Sequence, residues 1–177
     1  MHAFFTIGHS SRAFDTFAEL LVQSGIGHLV DVRTVPRSRT NPQFNTDLMP
    51  NALAALGIHY EHIAALGGLR GRSQLVSPDE NSFWENKSFH NYADYALSPE
   101  FEQGLTQLIE QGHRQRCAIM CAEAVWWRCH RRIIADHLLA RGFEVFHIMG
   151  DGRVDAAQIT CAAVVDDDGK LRYPGAN

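Results

Sequence analysis

Lysine is nearly missing from this chain: of its 16 basic residues only Lys87 and Lys170 are lysine, and the other 14 are arginine. The formal net charge is −4 and the pI is near 6.2, which excludes a generic nucleic-acid coat, since such a surface is basic throughout. Long apolar runs are lacking too. None approaches the roughly 18 residues that suggest a membrane span, so no membrane association is expected. Cysteines number only four, at 117, 121, 129 and 161, with no secreted-scaffold spacing, and no charged-then-apolar leader precedes the first strand-like run. The expectation is a cytoplasmic protein with reduced thiols. A phosphate-loop signature is also absent: glycines 67, 68 and 71 stand beside Arg70 and Arg72, but in no such pattern.

What is present suits a globular domain. With 177 residues, 45% of them hydrophobic and 20% charged, the chain fits a single domain able to bury a core without disulfide staples. Phe4 to Ile7 reads as a buried strand ending in Gly8, His9, Ser10 and Ser11, where a helix cap is expected. Phe14, Phe17, Ala18 and Leu21 recur at helical spacing up to Gly25, and HLVDVRT gives a second strand. Strand, helix, strand in that order demands a parallel crossover. Pro36 and Pro42 make the arginine-rich segment after Arg33 a loop, and Thr46 is placed to cap a helix carrying Met49, Leu53 and Leu56 inward.

IHYEHI supplies a third strand. The stretch from Ala64 to Phe89 has few periodic apolar residues and reads as a lid or a disordered loop. NYADYAL forms a short helix; Ser98 and Pro99 open a better-marked one ending at Gly112. Cys117 onward is strand four, Arg131 to Leu139 its helix, and EVFHIM strand five. The expected fold is α/β: a three-layer, Rossmann-like sandwich with a mainly parallel sheet of about five strands. The tail 152–177 is compatible with a hairpin turning at Asp168 and Gly169.

Open parallel sheets bind ligands beyond the carboxyl ends of their strands. Those ends collect His9 and Ser10, Asp31 and Arg33, Glu61 and His62, Cys121 and Glu123, and His147 with Asp151. The densest cluster lies in CAEAVWWRCHRR, between strand four and its helix, and it admits three readings. In the first, Cys121 sits near arginine and ahead of a helix, where charge and dipole favour a thiolate nucleophile. LVDVR resembles the second-strand motif of rhodanese sulfurtransferases. Glu123 and the bulky Val125, Trp126 and Trp127 argue against a phosphatase loop. In the second, Cys121, Cys129 and His130 bind a zinc-type metal, with Glu123 as base; the CAE of zinc-dependent cytidine deaminases is present, but their Pro-Cys-x-x-Cys is not. In the third, Trp126 and Trp127 stack on a base while Arg128, Arg131 and the Arg33 group engage phosphates.

TIGHS, LVDVRTVPRSRTNPQFN, LGG, NYADY and MCAEAVWWRCHRRIIADHL resemble the domain of unknown function 488 family of small prokaryotic proteins, from about Thr6 to Asp151. The resemblance marks Gly8, His9, Ser10, Asp31, Arg33, Pro36, Arg37, Asn41, Phe44, Cys121, Glu123, Arg128, Cys129, His130 and Arg131 as motif positions. It implies no particular reaction.

The resulting expectation is an enzyme, thiol-based or metal-assisted, acting on an anionic, nucleotide-like substrate. Cys121, Glu123, His9 and Asp31 form its catalytic group. Ser10, Arg33, Arg37, Asn41, Trp126, Arg128 and Arg131 bind substrate. No cofactor is required by the sequence, with zinc at Cys121, Cys129 and His130 as the alternative. A non-catalytic nucleotide or nucleic-acid binding module is the rival.

Overall fold

The computed structural model describes residues 3–150 and 152–176, so Asp151, one of the strand-end residues named above, lies outside the described residues. Its centre is a six-stranded sheet of order β3-β2-β4-β1-β5-β6, built from β1 (Phe4–Gly8), β2 (His28–Asp31), β3 (His59–His62), β4 (Cys117–Cys121), β5 (Val145–Gly150) and β6 (Arg153–Ala156). The first five run parallel, and β6 pairs antiparallel with β5. This is a three-layer, Rossmann-like α/β sandwich. The sixth strand escaped the sequence because RVDA carries no apolar alternation and its residues are largely exposed.

Side-chain alternation along the strands assigns the two faces. Phe5 and Ile7 of β1, Leu29 of β2 and Ala118 and Met120 of β4 pack with Phe17, Leu20 and Leu21 of α1 (Phe14–Gln23) and Met49 and Leu53 of α2 (Met49–Ala54). Phe4, Val30, Cys117, Ile119 and Cys121 point the other way. Their neighbours are Tyr92 of α3 (Lys87–Tyr95), Phe101, Leu105 and Leu108 of α4 (Pro99–Arg114), and Ile133, Ile134 and Leu138 of α5 (Arg131–Ala140). Cys121 thus continues the α5 face of β4, a placement that follows from period two alone.

Several local expectations need correction. The residue before α1 is Ala13, with no side-chain cap, so neither Ser10 nor Ser11 caps that helix. Thr46 does not cap α2; its hydroxyl lies 3.2 Å from Tyr60 Oη, and Leu56, past the helix end, is 47% exposed. Gly112 does not end α4 but lies within it, because a Cβ there would fall 2.2 Å from the Phe4 ring, and only glycine lets the helix approach β1 so closely. Ser98 does cap α4, accepting from the Phe101 N–H.

The stretch from Ala64 to Phe89 is ordered against the core. Trp84 stacks on Phe89 and meets Tyr173 edge-on, and α3 begins four residues earlier than NYADYAL suggested, with Asn86 Oδ1 accepting from the Ser88 and Phe89 N–H groups. The tail contributes to the same layer. β7 (Val164–Val165) and β8 (Leu171–Arg172) pair antiparallel, and Tyr173 is fully buried with its hydroxyl donating to Asp136 at 2.9 Å. Asp136 also accepts from the Thr160 N–H at 2.9 Å, so a carboxylate buried on α5 ties the tail down at two points. No helix among the described residues is long and apolar enough to cross a membrane.

Candidate functional site

A cavity of about 510 Å³ opens at the carboxyl ends of β1, β2 and β4, where the strand order reverses direction. Of the sequence candidates, His9, Arg33, Arg37, Cys121, Glu123, Arg128, Cys129 and His130 line it. Thr34, Val35, Ser38, Gly68, Leu69, Asn86, Ser88, Phe89 and Ala122 complete the wall. Of this second set the sequence reading singled out only Gly68, beside Arg70. The one signal available was the Asn86 cap, which turns the start of α3, and with it Ser88 and Phe89, toward the opening.

Asp31 lies behind the wall instead of on it. It is fully buried, and its carboxylate accepts from Arg33 Nε at 2.9 Å and Nη2 at 2.6 Å and from the Tyr60 hydroxyl at 2.6 Å. Arg33 donates further to the Phe44 carbonyl at 2.6 Å and, through Nη1, toward His9 Nε2 at 3.3 Å. His9 Nδ1 is 2.7 Å from the Ser10 carbonyl, so the proton sits on Nδ1 and Nε2 accepts. Burial lowers the His9 pKa, which keeps that ring neutral. Asp31, Arg33 and His9 therefore form one relay of hydrogen bonds, and Arg33 presents a guanidinium already occupied on most of its edges.

Ser10 is the backbone hinge of this corner. Its φ of 51° lies in the left-handed region, which aims its carbonyl at the His9 ring, and its side chain does not line the cavity. Asn41 is likewise outside: its N–H donates to Ser38 Oγ at 3.0 Å, while Asn45 Oδ1 accepts from the Ser38 N–H at 2.7 Å to hold the loop. Trp126 lies stacked on His147, ring centroids 4.5 Å apart and planes 4° apart, so it is engaged with β5 and not free for a base. His147 also bonds Thr6 Oγ1 at 2.7 Å, and His62 bonds the Arg33 carbonyl at 2.7 Å; both serve the fold.

Arg131 departs furthest from its expected role as a surface anion clamp. It is 1% exposed. Side chains at a helix start lean back toward the N-terminus, and from the first position of α5 the guanidinium reaches Cys121 Sγ at 3.1 Å, the Glu123 carbonyl at 2.9 Å and the Ala124 carbonyl at 3.2 Å. No carboxylate forms an ion pair with it among the described residues, and burial pushes Arg131 down to about 9. Gly8 makes room for this crossing: a Cβ there would stand 1.8 Å from the Glu123 carbonyl oxygen and 2.8 Å from Arg131 Nη1.

Cys121 and Cys129 are paired as a disulfide in the cavity floor, their Cα atoms 7.6 Å apart, so the expectation of four reduced thiols holds only for buried Cys117 and exposed Cys161. Cys129 Sγ accepts from the Arg131 N–H at 3.5 Å and lies 3.5 Å from His130 Nδ1. His130 Nε2 is 2.8 Å from the Val32 carbonyl, which places its proton there and leaves the Nδ1 lone pair facing Cys129. Burial pushes His130 down to about 4. Gly68 packs over this edge, where a Cβ would fall 2.5 Å from Nδ1.

Among the described residues no three His, Cys, Asp or Glu side chains converge to hold an ion. While Cys121 and Cys129 are joined to each other, His130 Nδ1 is the donor left of the three metal candidates.

A family model described as "Domain of unknown function DUF488" matches residues 13–138, which spans β2, β3, β4, α5 and every cavity-lining residue but His9. No curated protein matches the chain, and no solved structure does. The match covers most of the sequence and centres on the cavity just described: the chain belongs to the DUF488 family, a domain of unknown function.

Proposed function

We propose that this protein is a cysteine-dependent enzyme acting on an anionic, nucleotide-like substrate, with Cys121 as nucleophile when the cavity thiols are reduced. The observation that carries the reading is the buried Arg131 guanidinium, 3.1 Å from Cys121 Sγ, with Glu123 acting on it only from beyond ion-pair distance among the described residues. A buried cation of this kind costs several kcal/mol of desolvation unless something negative accompanies it. A thiolate at Cys121 is the group that geometry provides.

Substrate charge is matched by the rim. Arg37 is 64% exposed and its nearest carboxylate, Asp47, is 3.8 Å away, so its guanidinium is available to an anion; Arg128 is exposed on the same wall. Arginine's planar fork binds phosphate or carboxylate through two bonds at once. Glu123 is exposed at the mouth and is our candidate acid/base.

The test of the nucleophile is site-resolved alkylation. After reduction, Cys121 should react with iodoacetamide near neutral pH faster than Cys117 and Cys161; equal or slower labelling would remove it from the chemistry. Burial pushes the Cys117 thiol up to about 12, which makes that residue an internal slow reference. The test of the rim is thermal. Phosphate-bearing ligands should raise the melting temperature by a few degrees in a salt-dependent way, and Arg37→Ala with Arg128→Ala should abolish the rise. A nucleotide panel that leaves the melting temperature unmoved would sink the anion assignment.

A further inference from the structure

We infer that Cys129 is the resolving partner of Cys121, and that the site performs thiol–disulfide exchange on a small anionic disulfide. The inference rests on the reading of Cys121 as a nucleophile and deepens it by naming the substrate class. The two cysteines are eight residues apart in sequence yet share one cavity floor, and each sulfur has its own activating neighbour. Cys121 faces the Arg131 guanidinium. Cys129 faces the unprotonated Nδ1 of His130 and the first N–H of α5.

Nucleophiles that end in an acyl or phosphoryl intermediate need one thiol and a path for water. A second thiol in contact with the first is instead the arrangement that resolves a mixed disulfide. Arg37 and Arg128 at the mouth select a disulfide that carries carboxylate or phosphate groups, and a cavity of about 510 Å³ is of small-molecule size.

The step balances as follows. The Cys121 thiolate attacks one sulfur of the substrate disulfide, forming a Cys121–substrate bond and expelling the other half as a thiolate. Cys129 gives up its proton to the thiolate expelled in the first step and attacks Cys121 Sγ, which breaks the mixed disulfide and releases the second half as a thiolate. One disulfide is reduced to two thiols by two electrons, and the cavity dithiol becomes the Cys121–Cys129 disulfide. A dithiol reductant returns it to the starting state.

The dianionic chromogenic probe 5,5′-dithiobis(2-nitrobenzoate) tests this without knowledge of the natural substrate. The reduced full-length protein would be mixed anaerobically with the probe in a Cys161→Ser background, since Cys161 is exposed and lies outside the cavity. Two equivalents of thiolate should be released, leaving an internal disulfide and no adduct by intact mass. Cys129→Ser should stop at one equivalent with a stable adduct on Cys121, and the second release should slow by on the order of a hundredfold or more. If the unsubstituted pair also retains the adduct, or if Cys129→Ser still releases two equivalents, the resolving role is lost while fast iodoacetamide labelling would leave Cys121 a nucleophile. If Cys121 resists both reagents, the exchange inference and the nucleophile fall together.

Discussion

Substituting Arg131 with methionine should lower the rate of Cys121 alkylation at neutral pH by about ten- to a hundredfold in the reduced protein, with the fold retained. The sizes of the opposing terms decide this. A unit charge about 3 Å from a thiolate is worth several kcal/mol even at an effective dielectric of 20, so losing it removes most of the thiolate's stabilisation. Against folding, the substitution frees the Glu123 and Ala124 carbonyls, at about 1 kcal/mol each, but also removes a buried cation with no ion pair, which methionine of similar length replaces at little or no net loss. Reactivity should therefore fall far more than stability. Arg131→Lys should recover part of the rate because it restores charge without the fork. Site-resolved mass spectrometry of a labelling time course checks both variants, and an Arg131→Met protein that labels at the original rate would refute the guanidinium's part in the chemistry.

That residue also shows where sequence reasoning reaches its limit. The strand ends were legible because the strand–helix–strand order makes the strands parallel and alternation shows which side chains share a face near each end. His9, Arg33, Cys121 and Glu123 could be placed around one opening on that basis, and they line it. Direction at the start of a helix is harder: Arg131 reads as another surface arginine beside Arg128 and Arg132, and only its backward lean under Gly8 turns it into a buried partner of Cys121. Trp126 fails for a similar reason, since nothing local says that His147 on β5 will meet its ring.

The wall made by Gly68, Asn86, Ser88 and Phe89 comes from the stretch that reads as a lid or a disordered loop. Its order depends on long-range aromatic contacts, Trp84 with Phe89 and with Tyr173, and periodicity within a short window cannot show these. The hairpin of the tail about Asp168 and Gly169 was legible and is formed by β7 and β8, but its docking against α5 was not. Tyr173 is separated by 37 residues from Asp136, the carboxylate it donates to. Disulfide pairing of Cys121 with Cys129 likewise required the loop between them to fold back through the Trp126–Arg128 turn, which the spacing alone does not dictate.

Acidification should destabilise this protein steeply, and at pH values above those where carboxylates ordinarily titrate. His130 and His147 are pushed down to about 4 and His137 to about 3, in each case chiefly by burial. A folded-state pKa below the unfolded value near 6.5 means that the unfolded chain binds the proton first. The stability these rings contribute is complete above about pH 6.5 and is lost as pH falls toward the folded values. Each ring accounts for up to about 3 kcal/mol over that window, so three together are comparable to the whole stability of a typical domain. Asp136, raised by burial, acts in the opposite sense, but it is one group against five, since burial lowers His9 and His28 as well.

Urea midpoints measured from pH 7.5 down to 4 should therefore drop continuously below pH 6.5, with unfolding complete before pH 4. His137 offers the cleanest dissection. Its Nε2 is buried without a partner among the described residues, and its ring packs 4.7 Å from that of Phe101, away from the cavity. His137→Leu should flatten the acid limb by about one proton while leaving Cys121 labelling at pH 7.5 unchanged. Midpoints that stay level between pH 7 and 5 would show that these histidines are hydrated in solution, and the packing of α5 against β4 described above would need to be redrawn.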